Sequence, residues 1–329
     1  MYQAKYRAHT NIALIKYWGK RHEALFLPVT NSLSLTLDAF YTDSWIDFDA
    51  KYGQDSFYLD GVKQDGKATA KVTQFVNRFR ALAQCDLPFC LKSYNHVPTA
   101  AGLASSASAF AALACACNAA LKLNLSQKEL SILARQGSGS ASRSLYGGFV
   151  EWLAGEGDDS QSSYAVPFEA AEWDVAMLVV MVSKTQKKIS SRVGMALTMA
   201  TSPFYQQWAE EVAQDLAQIK PAILAHDFDA MGQIAEHNAM KMHATMIAAN
   251  PSFTYWEAGS LHAMRLVQTL REQGLSCYFT MDAGPNVKVL CRKSQIEQVK
   301  AAFREIFEES ELATAFPGSA PFALPLDEE

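Results

Sequence analysis

The segment Pro98-Thr-Ala-Ala-Gly102-Leu103-Ala104-Ser105-Ser106-Ala-Ser108 sets a proline, a glycine and three serines directly ahead of an alanine-rich run, Phe110 to Leu121. A small-residue turn feeding a helix leaves unpaired backbone N–H groups and hydroxyls at the positive end of the helix dipole, where a phosphate is well received. Small residues also serve close packing, so the segment alone does not decide between the two uses. It lacks the Gly-Lys-Ser/Thr ending of a Walker loop and the Gly-x-Gly-x-x-Gly spacing of a dinucleotide turn.

Further segments carry reactive side chains. Asn11-Ile-Ala-Leu-Ile-Lys16-Tyr17-Trp18-Gly19-Lys20-Arg21 gathers three cations and a tyrosine around one glycine turn, more than a solvated strand edge needs. Gly137-Ser138-Gly139-Ser140-Ala-Ser142-Arg143-Ser144 alternates glycine and serine, and Arg143 adds a planar fork that matches a carboxylate or phosphate. Lys187-Lys188-Ile-Ser190-Ser191-Arg192 reads as a basic, hydroxyl-rich turn after a buried strand. Met281-Asp282-Ala-Gly284-Pro285-Asn286 sets a lone aspartate at a strand end beside a glycine turn. These residues by themselves reach an ATP-dependent enzyme acting on an anionic small molecule, and no further.

The elements that must position them follow from periodicity. Tyr2 to Ile15 reads as a strand, and 32–37 and 44–48 alternate with period two as half-buried strands do. Residues 67–84 form an amphipathic helix with Val72, Phe75, Val76 and Phe79 on one side, and Phe89 to Tyr94 is a strand leading into the phosphate loop. Ser126 and Glu129 make a capping box for a helix, Gln127 to Gln136, that stops at Gly137. Gly148 to Leu153 is a strand, the polar stretch Gly155 to Ser163 lacks regular structure, and the apolar Val175 to Val182 is a buried strand. Helices over 203–219, 228–248, 259–273 and 294–308 dominate the second half, with strands Ser276 to Met281 and Val287 to Cys291 inserted. The tail from Phe316 reads as a surface arm.

Composition narrows the class. At 329 residues, 49% hydrophobic and 19% charged, the chain has a large core in one or two domains. A net charge of −5 argues against a nucleic-acid surface. Six cysteines without a Cys-x-x-Cys pair sit in apolar runs, as free thiols of a cytoplasmic protein do. The N-terminal lysines and arginines are not followed by an apolar block, so no signal peptide is expected. The uncharged stretch from Val97 to Leu121 has a membrane span's length, but Pro98, Thr99, Gly102 and its serines make it a loop plus an internal helix. His237 and His243, six apart, have no metal-ligand spacing, and Met231, Met240, Met242 and Met246 read as helix packing.

The loop Pro98, Gly102, Leu103, Ser105, Ser106, Ala107 resembles the ATP loop of the GHMP kinase superfamily, Pro-x-x-x-Gly-Leu-x-Ser-Ser-Ala. The other segments, from residue 8 to about 290, resemble those of the mevalonate diphosphate decarboxylases; Lys-Tyr-Trp-Gly-Lys and Asp-Ala-Gly-Pro-Asn are specific to that branch. His22 stands where the family usually has an acid, at a peripheral position.

The resemblance implies an α+β, two-domain GHMP kinase fold, 1–180 and 181–329, with the active site in the interdomain cleft. It implies ATP-dependent decarboxylation of (R)-5-diphosphomevalonate, Mg²⁺ accompanying ATP, and a homodimer. Asp282 would orient and deprotonate the 3-hydroxyl, Lys16 would keep Asp282 ionised, and Arg143 would grip the substrate carboxylate. Tyr17, Trp18, Gly19, Lys20, Lys71, Ser138, Gly139, Ser140, Ser191 and Arg192 would hold the diphosphate and the substrate backbone. Gly102, Leu103, Ala104, Ser105 and Ser106 would hold the ATP phosphates, Ser93 and Asn95 the nucleotide, and Lys187 or Lys188 the transferring phosphoryl group. Ser106 is the expected protein contact of Mg²⁺. A kinase for the 3-hydroxyl of mevalonate or its monophosphate would need fewer cations than Lys20, Lys71 and Arg192 supply. A non-catalytic metabolite sensor would be expected to lose Asp282, Lys16 or Arg143, and all are present.

Overall fold

The computed structural model describes residues 2–96, 105–183 and 188–326. The chain opens with β1 (Tyr2–Ile15), turns through the short hairpin β2 (Lys20–His22) and β3 (Leu27–Pro28), and returns antiparallel to β1 as β4 (Ser32–Phe48). The two strands expected over 32–37 and 44–48 are one, because a bulge absorbs the polar break between them. The register steps from His9↔Tyr41 to Thr10↔Leu37, and the looped-out Asp38 exchanges hydrogen bonds with the Phe316 backbone.

Next come β5 (Ser56–Leu59), β6 (Val62–Lys63), α1 (Gly66–Ala83), β7 (Phe89–His96), α2 (Ser105–Ala120), α3 (Gln127–Arg135), β8 (Phe149–Trp152) and β9 (Ala165–Glu169). The strands join a sheet in which Phe322–Ala323 (β14) precedes β1-β4-β7-β5-β6, with β8 on the first part of β4 and β9 beside β8. α1 buries Val72, Phe75, Val76 and Phe79, and the Ser126–Glu129 capping box opens α3. In α2, Ala107, Ala111, Ala112, Ala114 and Ala116 are fully buried, which lets the helix lie close on β1 and β4. The stretch Gly155–Ser163 holds a short 3₁₀ turn, Ser160–Ser162, whose cap is the Asp159 carboxylate.

A second, antiparallel sheet is ordered β11-β12-β10-β13, from β10 (Ala176–Val180), β11 (Cys277–Met281), β12 (Val287–Cys291) and β13 (Leu312–Ala315). The change of sheet therefore falls between Glu169 and Ala176, ahead of residue 181. Around it lie α4 (Ser191–Thr201), α5 (Tyr205–Leu224), α6 (Phe228–Ile247), α7 (Ala258–Glu272) and α8 (Ile296–Phe303). Period-two alternation divides β10: Ala176, Leu178 and Val180 pack with α7 and α8, while Met177 and Val179 join a core with α5 and α6. That core includes Ile12, Leu14, Leu33 and Leu35, so α5 and α6 tie the two sheets together.

Some expectations need correction. The basic segment after β10 is not only a turn: Ser190 Oγ caps Val193 N, and α4 begins at Ser191. The helix expected over 294–308 is the shorter α8, beyond which Glu309 holds both Lys300 and Arg304 at 2.6 Å. The tail is no free arm: Gly318 N donates to Thr36 O (2.8 Å), and β14 (Phe322–Ala323) adds a strand to the edge at β1. All six cysteines are free thiols.

Candidate active site

Asp282 follows β11 directly and carries one ammonium on each oxygen. Lys16 Nζ lies 2.8 Å from Oδ1 and Lys288 Nζ 3.4 Å from Oδ2. Lys16 stands just past β1 in the first sheet and Lys288 on β12 in the second, so one carboxylate joins the two halves. Both lysines are buried, whereas the Asp282 side chain keeps 31% of its surface, which leaves the carboxylate open to a ligand. Lys16 Nζ also donates to Ala13 O (2.7 Å), and Lys288 Nζ to Asn286 O (3.1 Å). Burial pulls the Lys16 pKa down to about 8, with Asp282 opposing and Lys288 reinforcing the shift. Burial would raise Asp282, but the two ammoniums outweigh it and hold the carboxyl well below the usual carboxylate range. His243, buried against Trp256 at a centroid distance of 5.4 Å, is pushed down to about 4 by burial and then by Lys16, so it stays neutral.

Arg143 sits in a 3₁₀ turn, Gly139–Leu145, with its guanidinium enclosed. Nε donates to Asn11 Oδ1 (3.2 Å) and Nη1 to Ser32 Oγ (2.5 Å). Asn11 Nδ2 in turn donates to Ser140 O (3.0 Å) and Ser144 Oγ (2.8 Å), which fixes the turn to β1. Burial lowers the Arg143 pKa to about 10, against the pull of Asp282, so it remains a cation at neutral pH. A row of hydroxyls links this turn to the start of α2: Ser138 Oγ lies 3.0 Å from Ser106 Oγ and 3.3 Å from Ser140 Oγ. Gly139 is there because Tyr17 and Trp152 close over it; a Cβ would meet Trp152 at 2.9 Å and Tyr17 at 3.1 Å. The Tyr17 hydroxyl is buried with no partner among the described residues, and burial raises its pKa, so it is a protonated donor awaiting an acceptor.

The turn after Tyr17 is shaped from the second half of the chain. Tyr205 Oη donates to Trp18 O (2.8 Å) and occupies the space a Cβ on Gly19 would take, and Gly19 has φ +129°, which disfavours any other residue. Lys20 Nζ pairs with Glu23 Oε2 at 2.8 Å and lies 4.3 Å above the Phe26 ring, which the Arg192 guanidinium also faces at 5.7 Å. Burial and then the charge of Arg192 lower the Lys71 pKa, which brings Lys71 into the same basic group. Ser191 is the first residue of α4, beside Arg192. Asp282 with its two flanking ammoniums thus lies near a buried guanidinium, and Tyr17 links Arg143 to the outer basic group at Arg192, a set suited to a polyanion that undergoes chemistry at Asp282.

The family description "Diphosphomevalonate decarboxylase-like N-terminal domain" matches residues 8–165, and "Mevalonate 5-diphosphate decarboxylase C-terminal domain" matches residues 177–325. The chain is 36% identical to the diphosphomevalonate decarboxylase of Ganoderma lucidum, covering 94% of this chain and 84% of that one. The chain belongs to the diphosphomevalonate decarboxylase family. Its fold matches the mevalonate diphosphate decarboxylase of Enterococcus faecalis, in a structure describing mevalonate diphosphate mediated ATP binding, with a TM-score of 0.92. The identity there is 50%, over 98% of this chain and 99% of that one. A solved complex of MDDEF with MVAPP, AMPPCP and magnesium is 51% identical with a TM-score of 0.92, over 98% and 99%. The two-sheet architecture is thus the GHMP kinase fold of this family.

Within the family frame, the nucleotide side is described only in part. Gly102, Leu103, Ala104, Lys187 and the Ser105 side chain lie outside the described residues. Asn95 is the last residue but one of β7, its side chain accepting from Thr42 Oγ1 (2.9 Å) while its N–H donates to Asp60 (2.8 Å). Ser93 is buried within the sheet, its hydroxyl 2.8 Å from Ser44 Oγ. Lys188 is exposed. Sequence reasoning missed Lys288, Asn11 and Ser32. Lys288 has a signal, a lone charge in the apolar strand Val287-Lys-Val-Leu-Cys291, which a buried strand tolerates only with a counter-charge. Asn11 and Ser32 have none, because what singles them out is Arg143, more than a hundred residues away.

Proposed function

We propose that this family member catalyses the ATP-dependent decarboxylation of (R)-5-diphosphomevalonate to isopentenyl diphosphate, ADP, phosphate and CO2, a step of the mevalonate pathway in isoprenoid biosynthesis. The observation that carries this reading is Asp282, ionised between Lys16 and Lys288 and sharing the cleft with Arg143.

In the first step the 3-hydroxyl oxygen attacks the γ-phosphorus of ATP, ADP leaves, and the hydroxyl proton passes to Asp282 or solvent. A carboxylate held this far below its usual range is a weak base. Phosphoryl transfer has a loose transition state that asks little proton removal from the nucleophile. Asp282 therefore acts first by orienting the hydroxyl and accepts the proton late. In the second step the C3–O bond breaks with its electron pair leaving on phosphate. The C1–C2 bond releases CO2, and its electrons form the C2=C3 double bond. Positive charge develops at C3, and the fixed charge of Asp282 stabilises it without reorganisation. Arg143, pinned by Asn11 and Ser32, holds the substrate carboxylate in line for departure.

Lys20, Lys71 and Arg192, with Tyr17, Ser138, Ser140 and Ser191 and the backbone of Trp18, Gly19 and Gly139, hold the diphosphate and the substrate chain. Glu23 occupies Lys20 until the diphosphate displaces it; this exposed carboxylate is a weak competitor. Ser106, beside Ser138, faces the ATP phosphates. Among the described residues no group of three or more His, Cys, Asp or Glu side chains could hold a metal ion. Ser106 would be the protein contact of Mg²⁺ accompanying ATP, and the ion would supply charge neutralisation for phosphoryl transfer. The reading includes a two-domain division, 1–180 and 181–329, a homodimer and a cytoplasmic location; among the described residues no helix is long and apolar enough to cross a membrane.

The test follows ADP and ¹⁴CO2 together from 1-¹⁴C-labelled (R)-5-diphosphomevalonate, ATP and Mg²⁺, with Asp282→Ala as control. Equal amounts of both, lost in the control, support the reading. ADP without CO2 makes the chain a 3-kinase, and neither product despite ATP binding points to a different acceptor or a sensor.

A further inference from the structure

Lys16 stands one residue beyond the pairing of β1 with β4, so its N–H has left the strand ladder. It donates instead to Asn238 Oδ1 at 2.8 Å, across 222 positions of sequence. Asn238 lies on α6, fully buried, and its Nδ2 donates to Asp215 Oδ2 on α5 at 2.7 Å. Lys241 Nζ, one turn along α6, closes the chain on Asp215 Oδ1 at 2.8 Å and reaches Glu211 Oε2 at 3.3 Å. Asp215 is itself buried. A buried carboxylate is stable only when paired and hydrogen-bonded, and here each oxygen has its own donor.

This chain has one direction. An asparagine left alone can turn its amide end for end; Asp215, which only accepts, forces Nδ2 toward itself and so turns Oδ1 toward Lys16. A neutral hydrophobic contact would fix neither the depth nor the azimuth of the backbone at Lys16, whereas a directed hydrogen bond fixes both. The ammonium of Lys16 must sit within 2.8 Å of Asp282, so its reach starts from where that backbone is held.

We infer that Asn238, oriented by Asp215 and Lys241, is a positioning residue that sets the backbone of Lys16 and thereby the Lys16–Asp282 contact on which turnover depends. The inference rests on the catalytic reading of Lys16 and Asp282 given above.

Reversing the polarity of the pair tests it. Asn238→Asp sets two carboxylates against each other at the present 2.7 Å contact, which drives the acceptor away from Lys16 N. Asp215→Asn in the same chain restores a donor at position 215 and an acceptor at position 238, and the oxygen of the new amide is free to accept from Lys241. The expected result is kcat lower by about ten- to a hundredfold in Asn238→Asp, with KM for ATP unchanged, and most of that loss recovered in the double variant. Should Asn238→Asp not fold, Asn238→Leu with Asp215→Asn removes the acceptor without like charge, and its kcat falls at temperatures where the variant stays folded, with KM for ATP unchanged. A folded Asn238→Asp protein with kcat within about twofold of wild type overturns the inference, as does a double variant that regains thermal stability but not kcat. Lys16→Met separates the two levels: if that variant turns over normally the catalytic reading falls, and if it is inactive while Asn238→Asp is normal only the positioning role falls.

Discussion

Replacing Lys288 by methionine removes one of the two charges on Asp282 and keeps a side chain of similar length in a fully buried place on β12. The ammoniums of Lys16 and Lys288 grip opposite oxygens of one carboxylate, so they stand no more than about 8 Å apart, and at an effective dielectric constant of about 20 their repulsion is about 2 kcal/mol. A like charge favours the neutral amine, so Lys288 lowers the pKa of Lys16; its removal raises it. At about 1.4 kcal/mol per pH unit, the alkaline limb of kcat moves up by about one and a half pH units, from about 8 in the wild type. The sign follows because turnover needs the Lys16 ammonium: activity fades as pH rises through its pKa, and the variant keeps it longer. Asp282 retains Lys16 and stays ionised at neutral pH, so kcat at pH 7 falls only by the orientation that the second ammonium supplied. The assay is ADP release at saturating substrates across the alkaline range, with the thermal midpoint as a folding control. An alkaline limb that stays in place or moves down would refute the reasoning.

Arg143→Lys replaces a fork held by Asn11 and Ser32 with one ammonium; kcat falls by about a hundredfold, and the ratio of CO2 to ADP drops because phosphorylated substrate escapes before decarboxylation. Gly139→Ala places a methyl within 2.9 Å of the buried Trp152 ring; the thermal midpoint falls by the equivalent of about 1–3 kcal/mol and substrate KM rises, read by calorimetry and by initial rates. Glu23→Gln frees Lys20, so KM for the diphosphate substrate falls while kcat holds, and the gain shrinks with added salt.

The sequence made the elements legible where a single period ran unbroken. The face of α1 at Val72, Phe75, Val76 and Phe79 and the capping box of α3 lie as read. β4 reads as two strands because its bulge at Asp38 is satisfied by Phe316, a partner that periodicity along one strand does not reveal. α4 reads as a turn because Ser190, Ser191 and Arg192 hide the buried pair Gly194 and Thr198, where a Cβ on Gly194 would meet the Tyr255 hydroxyl at 2.7 Å. Lys16, Arg143 and Asp282 stand out because each is a charge beside a glycine turn; Lys16 pairs with Asp282, and Arg143 lies within reach of its charge. What stayed illegible is the set of neutral partners. Asn11, Ser32 and Asn238 are ordinary polar residues until the fold aims them, and the direction of a hydrogen bond is a tertiary property.

The same electrostatics separate two roles for Asp282 that a simple loss of activity would merge. If the carboxylate mattered chiefly as a base, only the attack of the 3-hydroxyl would need it. A 3-phosphorylated substrate supplied ready-made would then lose phosphate and CO2 at the wild-type rate in an Asp282→Asn variant. The two ammoniums argue otherwise: they hold Asp282 ionised throughout and make it a poor proton acceptor. The amide loses that counter-charge, and with it what keeps the Lys16 ammonium protonated, which leaves the remaining cations, Arg143 among them, unopposed beside a carbon becoming cationic. The charge that formerly stabilised C3 is then replaced by net repulsion. Asp282→Asn should therefore slow CO2 release from the 3-phosphorylated substrate by about a hundredfold or more, the scale of removing one preorganised group in such a site. A wild-type rate of release in that variant would leave Asp282 as a base after all, and the pair of lysines as its structural support alone.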